Sequence, residues 1–171
     1  MAIIFDLDQT LIDSKEAEYY RSNRQWSEVY KMVPFLTPFE GVNEIVKEIM
    51  AKDIPFAVVT SSPSTYCKRV LNQWGWEPNS IVCFHDTNRR KPHPDPYLKA
   101  ITTLNIDKKD IIAIGDNPSD IIAAKRAEVT SIGVTWGIDN HNDLIASNPD
   151  MIFHRVAEFA EFISNRYNLK K

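Results

Sequence analysis

Residues 3–10 read IIFDLDQT, three apolar residues followed by an aspartate, a leucine, a second aspartate, a glutamine and a threonine. A short apolar run bounded by polar residues is typical of a strand that is buried on both faces of a sheet. The carboxylates of Asp6 and Asp8 follow the end of this strand. Ligands bind at the carboxyl ends of the strands when such a sheet is parallel. The stretch therefore predicts a buried strand with a candidate site at its end.

The same pattern recurs along the chain. Further apolar runs are found at 56–59, 81–84, 111–114, 131–134 and 151–153. Between the runs, apolar residues recur at helical spacing, and the predicted helices are 41–52, 63–74, 94–104, 119–127 and 156–167. Strands that alternate with helices predict an α/β fold, in which helices cover both faces of a mainly parallel sheet.

One segment departs from this alternation. Residues 14–39 carry no strand pattern, and either Asp13 or Ser14 is positioned to cap a helix that runs to about Met32. We interpret the segment as a short helical insert within a single domain spanning 1–171. The insert is either a small lid or an ordinary connecting helix, and the connecting helix is the simpler interpretation.

Composition limits the class of protein. The chain has 171 residues, 43% of them hydrophobic, and a net charge of -3, which suits one domain with its own core. The acidic balance and the absence of a Lys or Arg cluster argue against non-specific nucleic-acid binding. The N-terminus has no signal-peptide pattern and no apolar run reaches membrane-spanning length, so we expect a cytoplasmic protein. Cys67 and Cys83 are interpreted as reduced thiols.

Polar side chains follow several of the predicted strands. They are Asp6, Asp8 and Thr10 after the first run, Thr60 and Ser61 after the second, Lys91 after the third, and Asp116, Asn117 and Asp120 after the fourth. Each residue alone has a plainer explanation as a helix cap, a turn residue or a solvated surface charge. A parallel sheet, however, would bring all of these segments to one edge, and the joint pattern favours a site.

The residue types at this edge suit phosphoryl chemistry. Clustered carboxylates form the hard oxygen site that Mg²⁺ prefers, together with water and a substrate phosphate. The metal ion and Lys91 would offset the phosphoryl charge, so that Asp6 could attack phosphorus. The Thr60 hydroxyl would hold phosphoryl oxygens, and Asp8 would protonate the leaving oxygen and later activate water.

Four segments together resemble the sequence motifs of the haloacid dehalogenase (HAD) superfamily. They read DLDQT at 6–10, VVTS at 58–61, KPHPDPY at 91–97 and GDNPSD at 115–120. Each segment alone is a weak indication, but all four occur in the family order on an alternating strand–helix pattern. The resemblance covers nearly the whole chain.

The resemblance implies a Rossmann-like three-layer sandwich and assigns a role to each residue. It implies Asp6 as nucleophile and metal ligand, Asp8 as acid/base and backbone metal ligand, Asp116 as metal ligand, Thr60, Ser61 and Lys91 as phosphate binders, and Thr10, Asn117 and Asp120 as supporting residues. Dehalogenases of the family lack a carboxylate at the position of Asp8. The expected function is therefore a Mg²⁺-dependent phosphomonoester phosphatase that works through an aspartyl-phosphate.

The segment after the first motif bears on the substrate. Residues 14–39 are too few for the helical cap that many relatives carry, so we expect no large cap domain and an open site. A phosphorylated small molecule and a phosphorylated macromolecule both remain possible substrates, and the oligomeric state is left open. A non-hydrolytic phosphate-binding or regulatory module and a phosphotransferase are the alternative functions. Gln9 stands where the family more often has glycine.

Overall fold

The computed structural model describes residues 1–167 and contains a parallel sheet as its central layer. Within these residues the strands are β1 (Ala2–Phe5), β2 (Ile12–Asp13), β3 (Thr37–Pro38), β4 (Phe56–Val59), β5 (Ser80–Val82), β6 (Ile111–Gly115), β7 (Thr130–Val134) and β8 (Met151–Phe153). The α-helices of the same residues are α1 (Glu18–Ser22), α2 (Trp26–Met32), α3 (Val42–Ala51), α4 (Ser64–Trp74), α5 (Asp95–Leu104), α6 (Pro118–Arg126), α7 (Asn142–Ala146) and α8 (Val156–Tyr167).

The main sheet confirms the predicted fold class. Its strand order is β5-β4-β1-β6-β7-β8, and every neighbouring pair is parallel. Strand β1 lies in the middle, where Ile4 pairs with Ala57 of β4 and with Ala113 of β6. Because the strands run in one direction, the ends of β1, β4 and β6 meet at one edge of the sheet.

Alternating side chains of the strands supply two separate hydrophobic cores. Ile3 and Phe5 of β1 belong to one core, which also contains buried residues of α3, α4 and α8. Ala2 and Ile4 belong to the other, which contains buried residues of α5 and α6. Side chains alternate between the two faces of a strand, so one strand serves both cores. The result is the expected three-layer sandwich.

The insert is helical, but the prediction of a single helix that runs to about Met32 is wrong. A 3-10 turn over Lys15–Ala17 leads into α1, and α2 begins only at Trp26. Arg24 lies between the two helices with a left-handed φ of 55°, a conformation that an α-helix does not accommodate. Ser14 makes no capping hydrogen bond. Whether this insert acts as a lid stays a prediction.

Strands β2 and β3 form a small antiparallel pair at the base of the insert, and the sequence pattern did not predict it. Ile12 pairs with Pro38 and Asp13 with Thr37. A pair of this length carries too few residues to show a period of two.

The remaining differences from the sequence prediction are local. The predicted strand at 81–84 ends at Val82, because the backbone N–H of Cys83 turns away to donate to Asp86 Oδ2 at 2.6 Å. Both cysteines are free thiols and are buried. None of the helices within residues 1–167 has the length and apolar character needed to cross a bilayer. The cytoplasmic location stays a prediction.

Candidate active site

Asp6 and Lys91 form a buried ion pair at the end of β1. The Asp6 backbone N–H donates to Ile114 O of β6 at 2.8 Å, which fixes the residue at the sheet edge. Lys91 Nζ donates to Asp6 Oδ1 at 2.6 Å, to Asp120 Oδ1 at 2.6 Å and to Val59 O at 3.1 Å. The Lys91 side chain is only 4% exposed. It is therefore not a solvated surface charge.

Burial and neighbouring charges shift the pKa values of both Asp6 and Lys91. Burial raises the pKa of Asp6 to about 7, and although Lys91 opposes this rise, the nearby Asp120 and Asp8 carboxylates add to it. Burial alone would lower the pKa of Lys91, but the charges of Asp120 and Asp6 raise it well above its ordinary value. Lys91 is thus a fixed positive charge, whereas Asp6 holds its proton more readily than an ordinary aspartate.

The turn from β6 into α6 adds Asp116 and Asp120. Asp116 Oδ1 accepts from Thr10 Oγ1 at 2.8 Å. Asn117 and Asp120 form a capping box, in which Asn117 Oδ1 accepts from the Ser119 N–H and Asp120 Oδ2 accepts from the Asn117 N–H. A Cβ on Gly115 would lie 2.4 Å from Asp120 Cβ, so only glycine lets this turn close on the strand end.

Three carboxylates at this edge have the geometry and chemistry of a cation site. Oxygens of Asp6, Asp116 and Asp120 lie within 4.8 Å of one another, and all three residues are buried. Burial, followed by the charges of Asp6 and Asp120, raises the pKa of Asp116 well above its ordinary value. Lys91 contacts Asp6 and Asp120 of this cluster, and if all three carboxylates were ionised they would carry more negative charge than this one ammonium balances. A divalent cation with oxygen ligands fits such a donor set.

Asp8 faces a different set of partners from Asp6. Asp8 Oδ2 accepts from Ser62 Oγ at 2.8 Å and pairs with Arg21 Nη2 at 2.7 Å, while Asp8 Oδ1 accepts from Tyr66 Oη at 2.7 Å. Burial raises the pKa of Tyr66, and the charge of Asp8 raises it further, so the phenol keeps the proton that it donates.

Sequence reasoning missed Arg21, Ser62 and Tyr66 as partners of Asp8. Ser62 directly follows Thr60 and Ser61 at the end of a predicted strand, and this position could have indicated it. Tyr66 lies within α4, and the sequence gives no sign that its hydroxyl reaches Asp8. Nothing in the sequence around Arg21 indicates that it reaches Asp8, because the contact depends on how the insert folds.

Thr60 and Ser61 lie on the opposite wall from Asp116. Thr60 is buried, and its Oγ1 accepts from the Ser62 N–H at 3.1 Å, whereas Ser61 is exposed. Both residues, with Asp6 and Asp8, line a cavity of about 220 Å³ that we call the reaction chamber. The sequence-predicted site residues other than Thr10 all line this one chamber. Thr10 contacts it only through its hydrogen bond to Asp116. The chemical roles of all these residues stay predictions.

The loop after β7 supports the turn after Asp8. Gln9 has a left-handed φ of 64°, a conformation that glycine adopts more readily. With its amide oriented to satisfy both groups, Gln9 donates to Gly137 O and accepts from the Lys15 N–H. A Cβ on Gly137 would lie 2.0 Å from Gln9 O, and Trp136 Nε1 donates to Thr10 O at 3.0 Å.

Comparison with known proteins assigns the family. The model of the haloacid dehalogenase-like hydrolases matches residues 18–134, which is more than half of the chain. The chain belongs to this family. The matched range contains Thr60, Lys91 and Asp116 and begins after Asp6 and Asp8.

Two curated relatives are similar to the chain over most of its length. The chain is 31% identical over 126 residues to a protein of Caldanaerobacter subterraneus that is provisionally named pyrophosphatase PpaX, covering 72% of this chain and 57% of the relative. It is 29% identical over 136 residues to the phosphoglycolate phosphatase of Escherichia coli K12, covering 78% and 53%. The chain thus spans about half the length of these relatives.

A solved structure confirms the fold. A hydrolase from Pseudomonas syringae superposes with a TM-score of 0.80 at 17% sequence identity, and the alignment covers 96% of this chain and 98% of that one. The two proteins therefore share the three-layer fold.

Proposed function

We propose that the chain is a Mg²⁺-dependent phosphomonoester phosphatase that forms an aspartyl-phosphate on Asp6. The observation that carries the proposal is the arrangement in the chamber. Asp6 lies 2.6 Å from the fixed cation of Lys91, and Asp8, Thr60 and Asp116 line the same cavity. The arrangement supports the proposal, because groups that could act as nucleophile, acid/base, hydroxyl donor and metal ligand surround a volume where a phosphoryl group can sit.

In the first half of the reaction, a carboxylate oxygen of Asp6 attacks phosphorus as the bond from phosphorus to the leaving oxygen breaks. Lys91 and the Thr60 hydroxyl stabilise the negative charge on the phosphoryl oxygens. Asp8 donates a proton to the leaving oxygen, which departs as an alcohol. Asp8 Oδ1 must lose its hydrogen bond from Tyr66 and carry a proton before it can do so, while Asp8 Oδ2 keeps its contact with Arg21.

In the second half, water attacks the phosphorus of the aspartyl-phosphate. Asp8, now ionised, removes a proton from this water, the bond between phosphorus and Asp6 breaks, and inorganic phosphate leaves. Asp6 is thereby returned to its ionised form and Asp8 to its protonated form, so the cycle is balanced. The same carboxyl group acts first as acid and then as base, as microscopic reversibility requires for a common geometry.

A divalent cation would be held by the carboxylates of Asp6 and Asp116 and by the backbone carbonyl of Asp8. When bound, it would supply the positive charge that offsets the phosphoryl group and keeps Asp6 ionised. Asp120 would serve a different purpose, because its two oxygens already hold Lys91 and the N-terminus of α6. The names of the curated relatives, a phosphoglycolate phosphatase and a pyrophosphatase, support hydrolysis of a phosphoryl group.

The proposal is tested by phosphate release from 4-nitrophenyl phosphate in the presence of Mg²⁺. We expect wild-type turnover and a loss of at least about a thousandfold in Asp6→Asn, which removes the nucleophile. Asp107→Asn is the matched control, since this exposed carboxylate pairs with Lys109 and lies outside the chamber, so the change should leave the rate unchanged. Comparable turnover by Asp6→Asn and wild type would contradict the assignment of the nucleophile.

A further inference from the structure

A second cavity adjoins the reaction chamber. It has a volume of about 390 Å³ and lies between the insert and the loops that follow β4 and β5. We call it the insert pocket. It shares Glu18, Arg21 and Ser61 with the chamber, so the two cavities meet along these three residues. A substrate with its phosphoryl group on Asp6 can therefore extend its leaving group into the insert pocket.

The size of the insert pocket selects against the smallest leaving groups. Pockets of about 300 Å³ or more enclose ligands of drug size, with many more atoms than a two-carbon acid or a single phosphate. A leaving group as small as glycolate would leave most of the pocket filled with water. The volume thus favours a larger leaving group than those in the names of the curated relatives.

The charges of the residues that line the pocket also limit the class of leaving group. The pocket is lined by the arginines Arg21 and Arg24 and by the carboxylate of Glu18. The charge of Arg21 is already balanced by Asp8 at 2.7 Å. The charges that remain, on Arg24 and Glu18, nearly cancel. A strongly anionic leaving group would gain little net attraction there, so the electrostatics favour a leaving group without a large charge.

The pocket also has aromatic walls that are held in place. Trp26 packs against Tyr66, with ring centroids 6.0 Å apart. Phe84 is covered on one face by the Arg90 guanidinium, 3.8 Å from the ring centroid, and meets His85 edge-on at 4.8 Å. Trp26, Phe84 and His85 all line the insert pocket. Fixed aromatic surfaces favour planar rings, because the contact costs little side-chain entropy.

We propose that the substrate is a small phosphomonoester whose leaving group carries an aromatic ring, and that this ring binds in the insert pocket against Trp26 and Phe84. The proposal rests on the phosphatase function above and adds the class of substrate. A ring of this kind can belong to a nucleoside or to a simpler aromatic alcohol, and both present the same planar surface to the pocket.

Two matched substrate pairs test the proposal. Adenosine 5′-monophosphate is compared with ribose 5-phosphate, and benzyl phosphate with ethyl phosphate. Each pair has the same type of alkyl leaving oxygen and differs in the ring. We expect kcat/KM to be higher by about tenfold for the ring-bearing member. A preference in the first pair alone assigns a nucleoside, and a preference in both assigns any compact ring. Equal values within both pairs, or faster hydrolysis of 2-phosphoglycolate, would overturn the proposal.

Variants of the wall tie the preference to the pocket. Phe84→Leu should abolish most of the preference by raising KM for the ring-bearing substrates. Trp26→Leu should do the same and serves as the second variant. Phe35→Leu is the matched control, since Phe35 belongs to the insert but is 79% exposed and lies outside the pocket. Loss of activity on every substrate alike in both wall variants would contradict the proposal.

Binding to the Asp6→Asn variant separates this proposal from the proposed function. Calorimetry measures the Kd of benzyl phosphate and of ethyl phosphate in a protein that cannot form the aspartyl-phosphate. Binding of benzyl phosphate about tenfold tighter supports the insert pocket, even if the wild type hydrolyses neither compound. Equal Kd values overturn the pocket assignment, even if the wild type proves to be a phosphatase.

Discussion

Arg21 holds the resting position of Asp8. Its Nη2 lies 2.7 Å from Asp8 Oδ2, and its Nη1 donates to Ser14 Oγ at 2.9 Å, so one side chain links the insert to the acid/base. We expect Arg21→Gln to lower the free energy of unfolding by about 2 kcal/mol, because the charge of Asp8 then lies buried without a cation. In an Asp8→Asn background the same change should cost about 0.5 kcal/mol or less, because no charge is left unpaired.

A double-mutant cycle measured by urea unfolding checks this coupling. Single-variant effects that add to the effect of the double variant within about 0.5 kcal/mol would show that Arg21 and Asp8 stabilise the fold independently.

Single residues also show how far the sequence could predict the site. Asp6, Thr60, Lys91 and Asp116 follow strands, and the parallel order fixes where strand ends meet. Arg21 follows no strand, so its place depended on the packing of the insert.

At the scale of elements, Asp150 connects β8 to β7. Its Oδ2 accepts from the N–H and the hydroxyl of Ser131, each at 2.7 Å. The hydrogen bond from the Ser131 backbone, and then that from its hydroxyl, lower the pKa of Asp150. A lowered pKa in the folded state means stabilisation that is complete above the unfolded value of about 3.9 and is lost as the pH falls through the folded pKa.

We therefore expect Asp150→Asn to lower the free energy of unfolding by about 1 kcal/mol at neutral pH, since the neutral amide accepts more weakly than the carboxylate. The difference from wild type should shrink below about pH 4, once the carboxylate of the wild type begins to take up its proton. Urea unfolding at neutral and acidic pH measures it. A difference that stays the same at both pH values would mean that the charge of Asp150 contributes nothing.

The elements also show where sequence patterns suffice. The buried strands β1, β4 and β6 were predictable because each is apolar over its whole length and bounded by polar residues. The two helices of the insert were not predictable. Arg24 separates them in a left-handed conformation, and the identity of a non-glycine residue such as arginine does not indicate that conformation. The pair β2–β3 depends on the two ends of the insert meeting, which is a tertiary event.

At the scale of the whole molecule, the carboxylates of the chamber link the free energy of unfolding to the binding of a divalent cation. Asp6 and Asp120 contact the ammonium of Lys91 and Asp116 lies beside them, so full ionisation of the three carboxylates would bury more negative charge than Lys91 balances. We expect Mg²⁺ at about a hundred times its Kd to raise the free energy of unfolding by about 2.7 kcal/mol. In Asp116→Asn this gain should largely disappear, because a metal ligand and its charge are lost.

The stability of Asp116→Asn without Mg²⁺ is the control for this experiment. Without Mg²⁺, Asp116→Asn should be at least as stable as wild type, because the amide oxygen still accepts from Thr10 while the repulsion with Asp6 is removed. Urea unfolding with and without Mg²⁺ measures both effects. An equal gain from Mg²⁺ in wild type and Asp116→Asn would place the ion elsewhere.

In the proposed reaction Asp6 accepts the phosphoryl group and Asp8 drives its removal. Mass spectrometry of Asp8→Asn, quenched with acid after mixing with 4-nitrophenyl phosphate and Mg²⁺, can detect the phosphorylated intermediate. We expect one phosphoryl group on the peptide that contains Asp6, accumulating because no base activates water, and none in the Asp6→Asn/Asp8→Asn protein. A phosphoryl group on another residue, or wild-type phosphate release with Asp6 never modified in Asp8→Asn, would contradict it.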